Sequence, residues 1–381
     1  MRFRFNEMGT PEHFPELRRS VRAFLREELA AGRIESRPNS WMRYDAEFTR
    51  RCGELGLIGI TFPQQYGGGA GTALERHIVV EEMLAVGAPV GMHWVADRQS
   101  GPQILRYGSD EAKREILPRI AAGRCCIGIG MSEADAGSDL ASIRTRGVAC
   151  DGGWRIRGAK LWTSNAHRAD YIIALIRTGD SSSMKHAGLT QVIVDMRADG
   201  LRANPVEDMT GGRDFNEVSF DDVFVPAHMV LAAPGDGWKL VTGELAYERS
   251  GPERFMSTFE LFEAFVDQLG PSPDAHATAA LGRMVTHFVT LRRMSSAIAQ
   301  MLANGDSPDL EAALVKDLGT AFERELIDVT REYMAFVPAT ERTAHYDRTL
   351  VQSLLAGPSF TLRGGTREIM RGIVAKQMNV V

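Results

Sequence analysis

The sequence changes character within one stretch, GRCCIGIGMSEADAGSDL, residues 123–140. Before it, apolar residues recur at intervals of three and four positions, which predicts amphipathic helices. From there to about residue 234, short runs rich in Val, Ile and Phe alternate with Gly and Asp turns, which predicts strands. After Gly237 the helical pattern returns and lasts to the end of the chain. This order predicts an α+β protein of several domains.

We expect an N-terminal helical domain over residues 1–125, a middle β domain over residues 126–234 and a C-terminal helical-bundle domain over residues 235–381. In the segment DEAKREILPRIAAG, Asp110 is a candidate N-cap and Gly123 a candidate residue just beyond the helix end. Pro252 follows the helix-like run GWKLVTGELAYER and should interrupt it.

Composition excludes several classes of protein. The chain has 381 residues and a net charge of -5, without a basic block, so we expect no nucleic-acid partner. No apolar run approaches the roughly 20 residues of a membrane span, and the N-terminus has no apolar signal region. The four cysteines have no CxxC spacing, which favours a reduced, cytoplasmic protein without a structural metal.

Two polar segments of the β region could carry chemistry. In MSEADAGSDL, the hydroxyls of Ser132 and Ser138 and an unusual backbone angle at Gly137 could bring N–H groups to a flavin edge or a pyrophosphate. An ordinary turn is the alternative. In KLWTSNAHRADY, Trp162 could stack on a planar ring and Ser164 could bond to its edge. Here the alternative is a core tryptophan.

A third segment, LRGGTREIMRGIVAKQM, lies near the C-terminus. Gly364 and Gly365 open a helix, and a glycine-rich helix entry can host an anionic or carbonyl group. A simple helix start is the alternative.

Together these segments resemble the flavin-dependent acyl-CoA dehydrogenase family. FPQQYGGGAG is similar to the family's PEEYGG turn, and YGSDEAKREILPRIAAGRCCIGIGMSEADAGSD to its YGSEEQK segment and TEPxxGSD signature. LWTSNAHRAD is similar to WITNAxxAD, and GGTREIMRGIVA to GGTxEIxR. NEVSFDDVFVPAHMVL resembles the family's last β-domain strands, and the match spans roughly residues 10–378.

The resemblance implies a fold, a cofactor and a set of site residues. The fold is an N-terminal helical domain, a middle β-barrel- or sandwich-like domain and a C-terminal four-helix bundle. FAD lies between the β domain and the C-terminal helices, and the substrate is an acyl-CoA. The residues implied at the cofactor are Ile129, Met131, Ser132, Gly137, Ser138, Trp162, Thr163, Ser164, Thr366 and Glu368. Ser138 is also implied at the substrate.

The resemblance also implies a catalytic base. In many members a Glu precedes the Gly-Thr of the C-terminal loop, but Gly364 stands there, and only its N–H can act, as a donor to the thioester carbonyl. Other members place the Glu in a Glu-Arg pair on a C-terminal-domain helix, which corresponds to Glu248 and Arg249, with Tyr247 and Arg249 bordering the thioester channel. The alternative for Glu248 is a solvated helix face. We expect the second pair, Glu253-Arg254, to be a first-turn charge or a surface pair.

Two motifs of homo-oligomeric members are missing. These are the RxxFG segment, which reaches a neighbour's FAD, and QxxGGxG before the terminal helix; the chain contains no Phe-Gly pair. A different acyl-CoA dehydrogenase subunit could supply these contacts, as in the heteromeric enzymes of bacterial steroid side-chain breakdown that the chain resembles. The alternative is that other residues of this chain took over the task.

The implied reaction is FAD-dependent α,β-dehydrogenation of an acyl-CoA thioester to the trans-2-enoyl-CoA, with Glu248 as the base, hydride transfer to flavin N5 and electron-transfer flavoprotein as the acceptor. A partner subunit of a heteromeric dehydrogenase and a flavin oxidase or monooxygenase are the alternatives. Fatty, branched, steroid side-chain and carrier-protein-bound acyl groups all stay open.

Overall fold

The computed structural model describes Phe5, residues 14–179 and residues 186–379, apart from the side chains of residues 244–248. The chain forms two compact units. We call the unit made of Met42–Gly71 and Val90–Leu245 the sheet unit. The helical unit is made of Met1–Trp41, Thr72–Pro89 and Ala246–Val381.

The described residues form eleven α-helices. In chain order they are α1 Phe14–Ala30, α2 Ala46–Glu54, α3 Ala73–Ala85, α4 Gly101–Tyr107, α5 Asp110–Ala121, α6 Gly237–Arg249, α7 Phe259–Leu269, α8 Ala275–Ala303, α9 Asp309–Met334, α10 Ala344–Phe360 and α11 Arg367–Gln377. None of them has the combined length and hydrophobicity that crossing a bilayer requires.

The sheet unit contains a mixed sheet of eight strands. The strands are β1 Ile127–Gly130, β2 Arg146–Cys150, β3 Gly153–Lys160, β4 Tyr171–Arg177, β5 Leu189–Asp195, β6 Leu201–Val206, β7 Phe215–Pro226 and β8 Val230–Leu231. Their order is β6-β7-β3-β2-β4-β5-β8, and β1 pairs with β4. β4 and β5 are buried over six successive residues each, which explains their continuous apolar sequences.

The pairing of β1 and β2 along one edge of β4 determines where the turn that follows β1 leaves the sheet. β1 lies parallel to the first half of β4, with Ile129 opposite Ile173, and β2 meets the same strand at its end, with Arg146 opposite Arg177. The segment between β1 and β2, residues 131–145, therefore leaves the sheet halfway along β4. This placement puts the predicted cofactor turn beside the strand ends instead of within the sheet.

The helical unit is organised around α9, which packs against α7, α8, α10 and α11. Its core includes Leu261, Phe265, Ile327, Tyr346 and Phe360, all buried. In the same unit α3 packs against α1 and α8. Apolar residues at helical spacing on each helix make this packing favourable, because each buried aliphatic or aromatic side chain contributes about 1.5–3 kcal/mol.

The predicted fold class is confirmed: helical regions flank a β region, as in the implied family fold. Gly123 lies just beyond α5 with φ +66°, as predicted. The N-cap prediction for Asp110 is wrong, because the Ser109 hydroxyl accepts from Ala112 N and Asp110 is the first helical residue. α6 ends before Pro252, as predicted. The division into these three domains stays a prediction.

Candidate active site

A buried lysine anchors the turn after β1 in the sheet unit. Lys160, the last residue of β3, is fully buried, and its Nζ donates to the Met131 carbonyl over 3.1 Å and to Glu133 Oε1 over 2.8 Å. Glu133 also accepts from the backbone N–H groups of Arg144 and Thr145, at 2.7 and 2.9 Å. One carboxylate thus ties the start of residues 131–145 to their end.

Burial and charge act in opposite directions on this pair. Burial lowers the pKa of Lys160 to about 8, although the nearby Glu133 charge raises it. Burial raises the pKa of Glu133, but the Lys160 charge and the hydrogen bonds from Lys160, Thr145 and Arg144 outweigh it, and the net pKa is lowered. The pair is therefore charged near neutral pH.

The LWTS segment lies directly against this turn. Leu161 N donates to the Ser132 carbonyl over 2.9 Å, so the two predicted cofactor segments meet at Ser132. Thr163 is held by Asn216 of β7, which accepts from Thr163 N over 3.1 Å and donates from Nδ2 to the Thr163 carbonyl over 2.9 Å. The segment is thereby fixed on two sides, to the turn after β1 and to β7.

Trp162 is not the core tryptophan of the alternative interpretation. Its side chain is 55% exposed and its φ is +65°, in the left-handed region that non-glycine residues seldom adopt. The indole makes an edge-type contact with Phe215, with ring centroids 6.1 Å apart. Strained backbone of this kind is concentrated at functional sites, because the surrounding structure must enforce it.

The residues of this region fit a flavin. An exposed indole stands beside Ser132 and Ser164, both half-buried, which matches a cofactor with a planar ring and polar edges. The buried Thr163 Oγ1 has no hydrogen-bond partner among the described residues, and such orphaned atoms are rare unless a bound group satisfies them.

Gly137 does not play the backbone role expected of it. Its φ lies outside the left-handed region, and a Cβ added there would meet no atom within 4 Å. Neither the backbone conformation nor the packing within the sheet unit requires a glycine at position 137. That the glycine allows a ligand to approach the backbone closely stays a prediction. Ser138 is exposed beside it, Ile129 lies in β1, and Met131 packs on the cluster around Leu175.

In the helical unit, buried cations hold the Gly364–Gly365 loop by its carbonyl oxygens. Arg249 Nε donates to the Gly364 carbonyl over 3.1 Å. Lys316 of α9, fully buried, donates from Nζ to the carbonyls of Gly365 and Thr361, at 2.6 and 3.4 Å. Both glycines are left-handed, with φ of +67° and +92°, so a glycine pair suits this turn.

The helix that follows the loop starts with a hydroxyl cap. Thr366 is the N-cap of α11, and its side chain accepts from Ile369 N. Glu368 is exposed, and hydrogen bonds from its own N–H and from Thr366 lower its pKa. Arg367 and Arg371 both bond to Asp317 of α9, at 2.6 and 3.2 Å, which fixes α11 to α9. The predicted cofactor role of Thr366 and Glu368 stays a prediction.

The candidate base lies on the last turn of α6. The side chains of Tyr247 and Glu248 are outside the described residues, so no contact of either is assigned. The next residue, Arg249, is buried, with 7% exposure. Its bond to Gly364 brings the end of α6 to the glycine loop within the helical unit.

The second Glu-Arg pair is not on the surface, so the surface alternative is wrong, whereas Glu253 does lie in the first turn of a short helix, as the other alternative predicted. Glu253 and Arg254 are 1% and 3% exposed, and they lie in a short 3₁₀ turn after Pro252. The pair is buried because α9 packs directly on this turn: a Cβ added at Gly319 would lie 2.3 Å from the Arg254 carbonyl oxygen.

Sequence reasoning missed the buried and partly buried charges that hold both loops. They are Glu133, Lys160, Lys316, Asp317, Glu323 and Arg363. One signal was available. Lys316 and Glu323 interrupt the apolar face of α9 two helical turns apart, and charged residues are almost never fully buried unless they are paired.

Comparison with known proteins identifies the family. Residues 11–124 match "Acyl-CoA dehydrogenase, N-terminal domain" and residues 128–223 match "Acyl-CoA dehydrogenase, middle domain". FadE29, an acyl-CoA dehydrogenase of Mycobacterium tuberculosis, is 32% identical over 86% of this chain and 86% of its own. FadE34 of the same organism is 32% identical over 85% of this chain, which spans only 45% of that relative's length.

A solved structure agrees over the whole chain. The protein described as "Tcur3481-Tcur3483 steroid ACAD" superposes with a TM-score of 0.83 at 25% identity, covering 99% of both chains. This chain belongs to the acyl-CoA dehydrogenase family. The members of this family are oxidoreductases, and FAD is their cofactor.

Proposed function

We propose that this chain catalyses the α,β-dehydrogenation of an acyl-CoA thioester, with Glu248 as the base that removes the α-proton. The Gly364 N–H would donate to the thioester carbonyl, where negative charge develops as the proton leaves. The residues that would hold the cofactor are Trp162, Ser164 and the turn around Ser132, with Thr366 and Glu368. FAD, when bound, supplies the acceptor for the hydride from the β-carbon.

One observation carries the proposal: Arg249 Nε donates to the Gly364 carbonyl over 3.1 Å. Neither Gly364 nor Gly365 has a side chain that could take a proton, so a base at this loop must come from another element. Because Glu248 precedes Arg249, the last turn of α6, on which we propose the base, is the element that this bond joins to the loop. With the Gly364 carbonyl directed at Arg249, the peptide between Gly364 and Gly365, next to the one that carries the Gly364 N–H, is held in a fixed orientation.

The chemistry makes a further demand on Glu248. A carboxylate removes an α-proton well only if its pKa rises toward that of the reacting group when substrate excludes water. Arg249, by holding the loop instead of extending into solvent, would keep its positive charge beside the site. We infer that substrate binding, which expels water, raises the pKa of Glu248 against this charge.

The test is Glu248→Gln. Anaerobic flavin reduction is measured with the thioester that bleaches the wild-type flavin fastest in a panel of straight-chain, branched and steroid side-chain acyl-CoAs. We expect the rate to fall by about 10²–10⁴ while FAD content is kept. The matched control is Glu332→Gln, an exposed glutamate on α9, which should reduce flavin at the wild-type rate.

Three outcomes would contradict the proposal. Flavin reduction by Glu248→Gln at the wild-type rate would place the base elsewhere. A colourless purified protein would favour a partner subunit, and rapid oxygen consumption by the reduced protein would favour an oxidase. Reoxidation by electron-transfer flavoprotein, without oxygen, is the behaviour expected of a dehydrogenase.

We also infer that a different acyl-CoA dehydrogenase subunit completes the FAD site. Two sequence features support this: the chain has no RxxFG motif, and the region before the terminal helix has no QxxGGxG motif. The similar steroid dehydrogenase is described by two protein names, Tcur3481 and Tcur3483. A steroid side-chain thioester is accordingly the first substrate to try.

Expression alone and with candidate partner subunits tests this inference. We expect the chain alone to bind FAD at less than one per subunit and to gain FAD, activity and a stable assembly with the right partner. A stable homo-oligomer with stoichiometric FAD and full activity would remove the two-subunit idea.

A further inference from the structure

Glu323, a fully buried carboxylate on α9, contacts two separate segments of the helical unit. Its Oε1 accepts from Ser257 N over 2.9 Å, and its Oε2 accepts from Arg363 Nη2 over 2.8 Å. Ser257 belongs to the segment that follows α6, whereas Arg363 immediately precedes Gly364. One carboxylate therefore joins the segment that follows α6 to the residue just before Gly364, whose N–H is the candidate donor to the thioester carbonyl.

Arg363 also contacts the segment that follows α6, and so strengthens the connection made by Glu323. Its Nη2 also donates to the Glu253 carbonyl and to Ser257 Oγ, each over 2.9 Å. Its guanidinium lies over the rings of Trp41 and Phe360, 4.5 and 4.7 Å from their centroids. Such stacking favours a planar guanidinium over an ammonium, because a delocalised cation is more weakly hydrated.

α9 presents this junction on one face. Gly319, one turn before Glu323, lies so close to the 252–254 turn that a Cβ would be 2.3 Å from the Arg254 carbonyl oxygen. Lys316, one turn earlier, holds the Gly365 carbonyl over 2.6 Å. The face of α9 therefore contacts both segments along two helical turns and gives them a common rigid support.

We propose that Glu323 and Arg363 form a positioning pair that sets the distance between the end of α6, which carries Glu248, and the peptide of Gly364. This inference rests on the proposed function of Glu248 and Gly364. Neither residue of the pair exchanges a proton with substrate. The pair acts by keeping a constant distance between the base and the Gly364 N–H while the α-proton is removed.

The expected effect follows from the sensitivity of proton removal to geometry. A displacement of about 1 Å between reacting groups can reduce a rate roughly 10²-fold. Glu323→Gln is a sharp probe, because the amide oxygen can still accept from Ser257 N while the amide nitrogen takes the place of Oε2, so Arg363 Nη2 loses both its charge partner and that acceptor. Arg363→Lys keeps the positive charge but loses the planar guanidinium between the two rings.

The experiment measures three quantities with the acyl-CoA that bleaches the wild-type flavin fastest. They are the rate constant of flavin reduction at saturation, the dissociation constant of that thioester, and FAD content. For Glu323→Gln we expect the rate constant to fall about 10- to 100-fold, with the other two within about twofold of wild type. For Arg363→Lys we expect a smaller fall of the rate constant, and for Glu332→Gln a rate constant equal to that of wild type.

Hydrogen exchange gives a readout that needs no activity. We expect Glu323→Gln to speed amide exchange in residues 250–258 and residues 361–366 together, and in α11 much less. A rate loss caused only by weaker thioester binding, or exchange that rises in only one of the two segments, would overturn the proposal. If Glu323→Gln does not fold, Arg363→Lys decides by the same criteria.

The two proposals fail in different ways. If Glu248→Gln reduces flavin at the wild-type rate, the proposed base is wrong, whatever the exchange data show. If Glu248→Gln is inactive but Glu323→Gln keeps the wild-type rate constant, the base stands and the positioning pair is wrong. Joint acceleration of exchange in both segments, with an unchanged rate constant, would show that the pair joins the two segments without positioning the base.

Discussion

Two buried lysines, one in each unit, hold loops that carry candidate site residues. Lys160 donates to the Met131 carbonyl in the sheet unit over 3.1 Å, and Lys316 donates to the Gly365 carbonyl in the helical unit over 2.6 Å. Both side chains are fully buried. Both loops adjoin a regular element, the first β1 and the second α11.

The two anchors differ in how carboxylates are used. Glu133 pairs with Lys160 and also binds backbone N–H groups of the same loop. Around Lys316, the nearby carboxylates Asp317 and Glu323 pair with arginines of the C-terminal segment. The first loop is held by the ion pair of Lys160 and Glu133 and by Arg177, which donates to the Ala141 and Ile143 carbonyls at 2.7 and 3.3 Å. The second is held by contacts from α9 and by Arg249. Loss of Lys160 leaves Glu133 without its cation, whereas Asp317 and Glu323 keep their arginines when Lys316 is lost, so we expect the first loss to cost more.

The largest effect is expected for Lys160→Met. It leaves the Glu133 charge without its partner, and breaking a buried ion pair costs about 3–5 kcal/mol. We expect the free energy of unfolding to fall by that amount and amide exchange to accelerate in residues 131–145 and β3. Lys376→Met, at an exposed lysine of α11, is the control. Unchanged exchange in residues 131–145 would contradict the anchoring role.

A smaller effect is expected for Lys316→Met. It leaves carbonyls of Thr361 and Gly365 unsatisfied, and an unsatisfied buried acceptor costs about 1–3 kcal/mol, so we expect a loss of about 2 kcal/mol. Amide exchange should accelerate in residues 361–366 and stay at the wild-type rate in β3. If Lys316→Met proves more destabilising than Lys160→Met, the contrast between the two anchors is wrong.

The smallest effect concerns pH and tests the lowered pKa of Lys160. The folded-state pKa of Lys160 is about 8, below the usual pKa of about 10.4 in an unfolded chain. Between these values the unfolded state binds more protons, so this lysine makes stability rise with pH. From pH 8 to pH 9 the unfolding free energy of wild type, minus that of Lys160→Met, should increase by about 1 kcal/mol. Chemical denaturation at each pH measures this difference in unfolding free energy. If the difference stays flat or falls as pH rises, the Lys160 pKa is not lowered.

The regular elements were predictable because local patterns encode them. The periodic segments before residue 123 and after Gly237 are helices, among them α5, α6 and α11, and the apolar runs between them include β4, β5 and β7. β1, β2, β6, α4 and α10 were not predicted as individual elements. IGIG carries two glycines in four residues, and the residues of α10 do not stand out as one apolar stripe. In these segments tertiary packing outweighs a weak local signal.

The site was predictable in part. The glycine loop, the LWTS segment and the Glu248-Arg249 pair could be named from their resemblance to the family. Their anchors could not be named, because Lys160, Glu323 and Arg363 look like ordinary charged residues of strands, helices and loops. Glu253-Arg254 shows the same difficulty: as sequence it resembles a solvated pair, and in the structure it is buried.

The residues alone were sufficient for the order of elements, for membership of the family and for the absence of a base at Gly364, because each depends on neighbours in the chain or on residue identity. The burial of Lys316 and Glu323, the bond between Arg249 and Gly364, and the strain at Trp162 emerged only with the tertiary structure. These depend on contacts between residues far apart in sequence, and a charged side chain has the same local pattern whether water or a buried partner satisfies it.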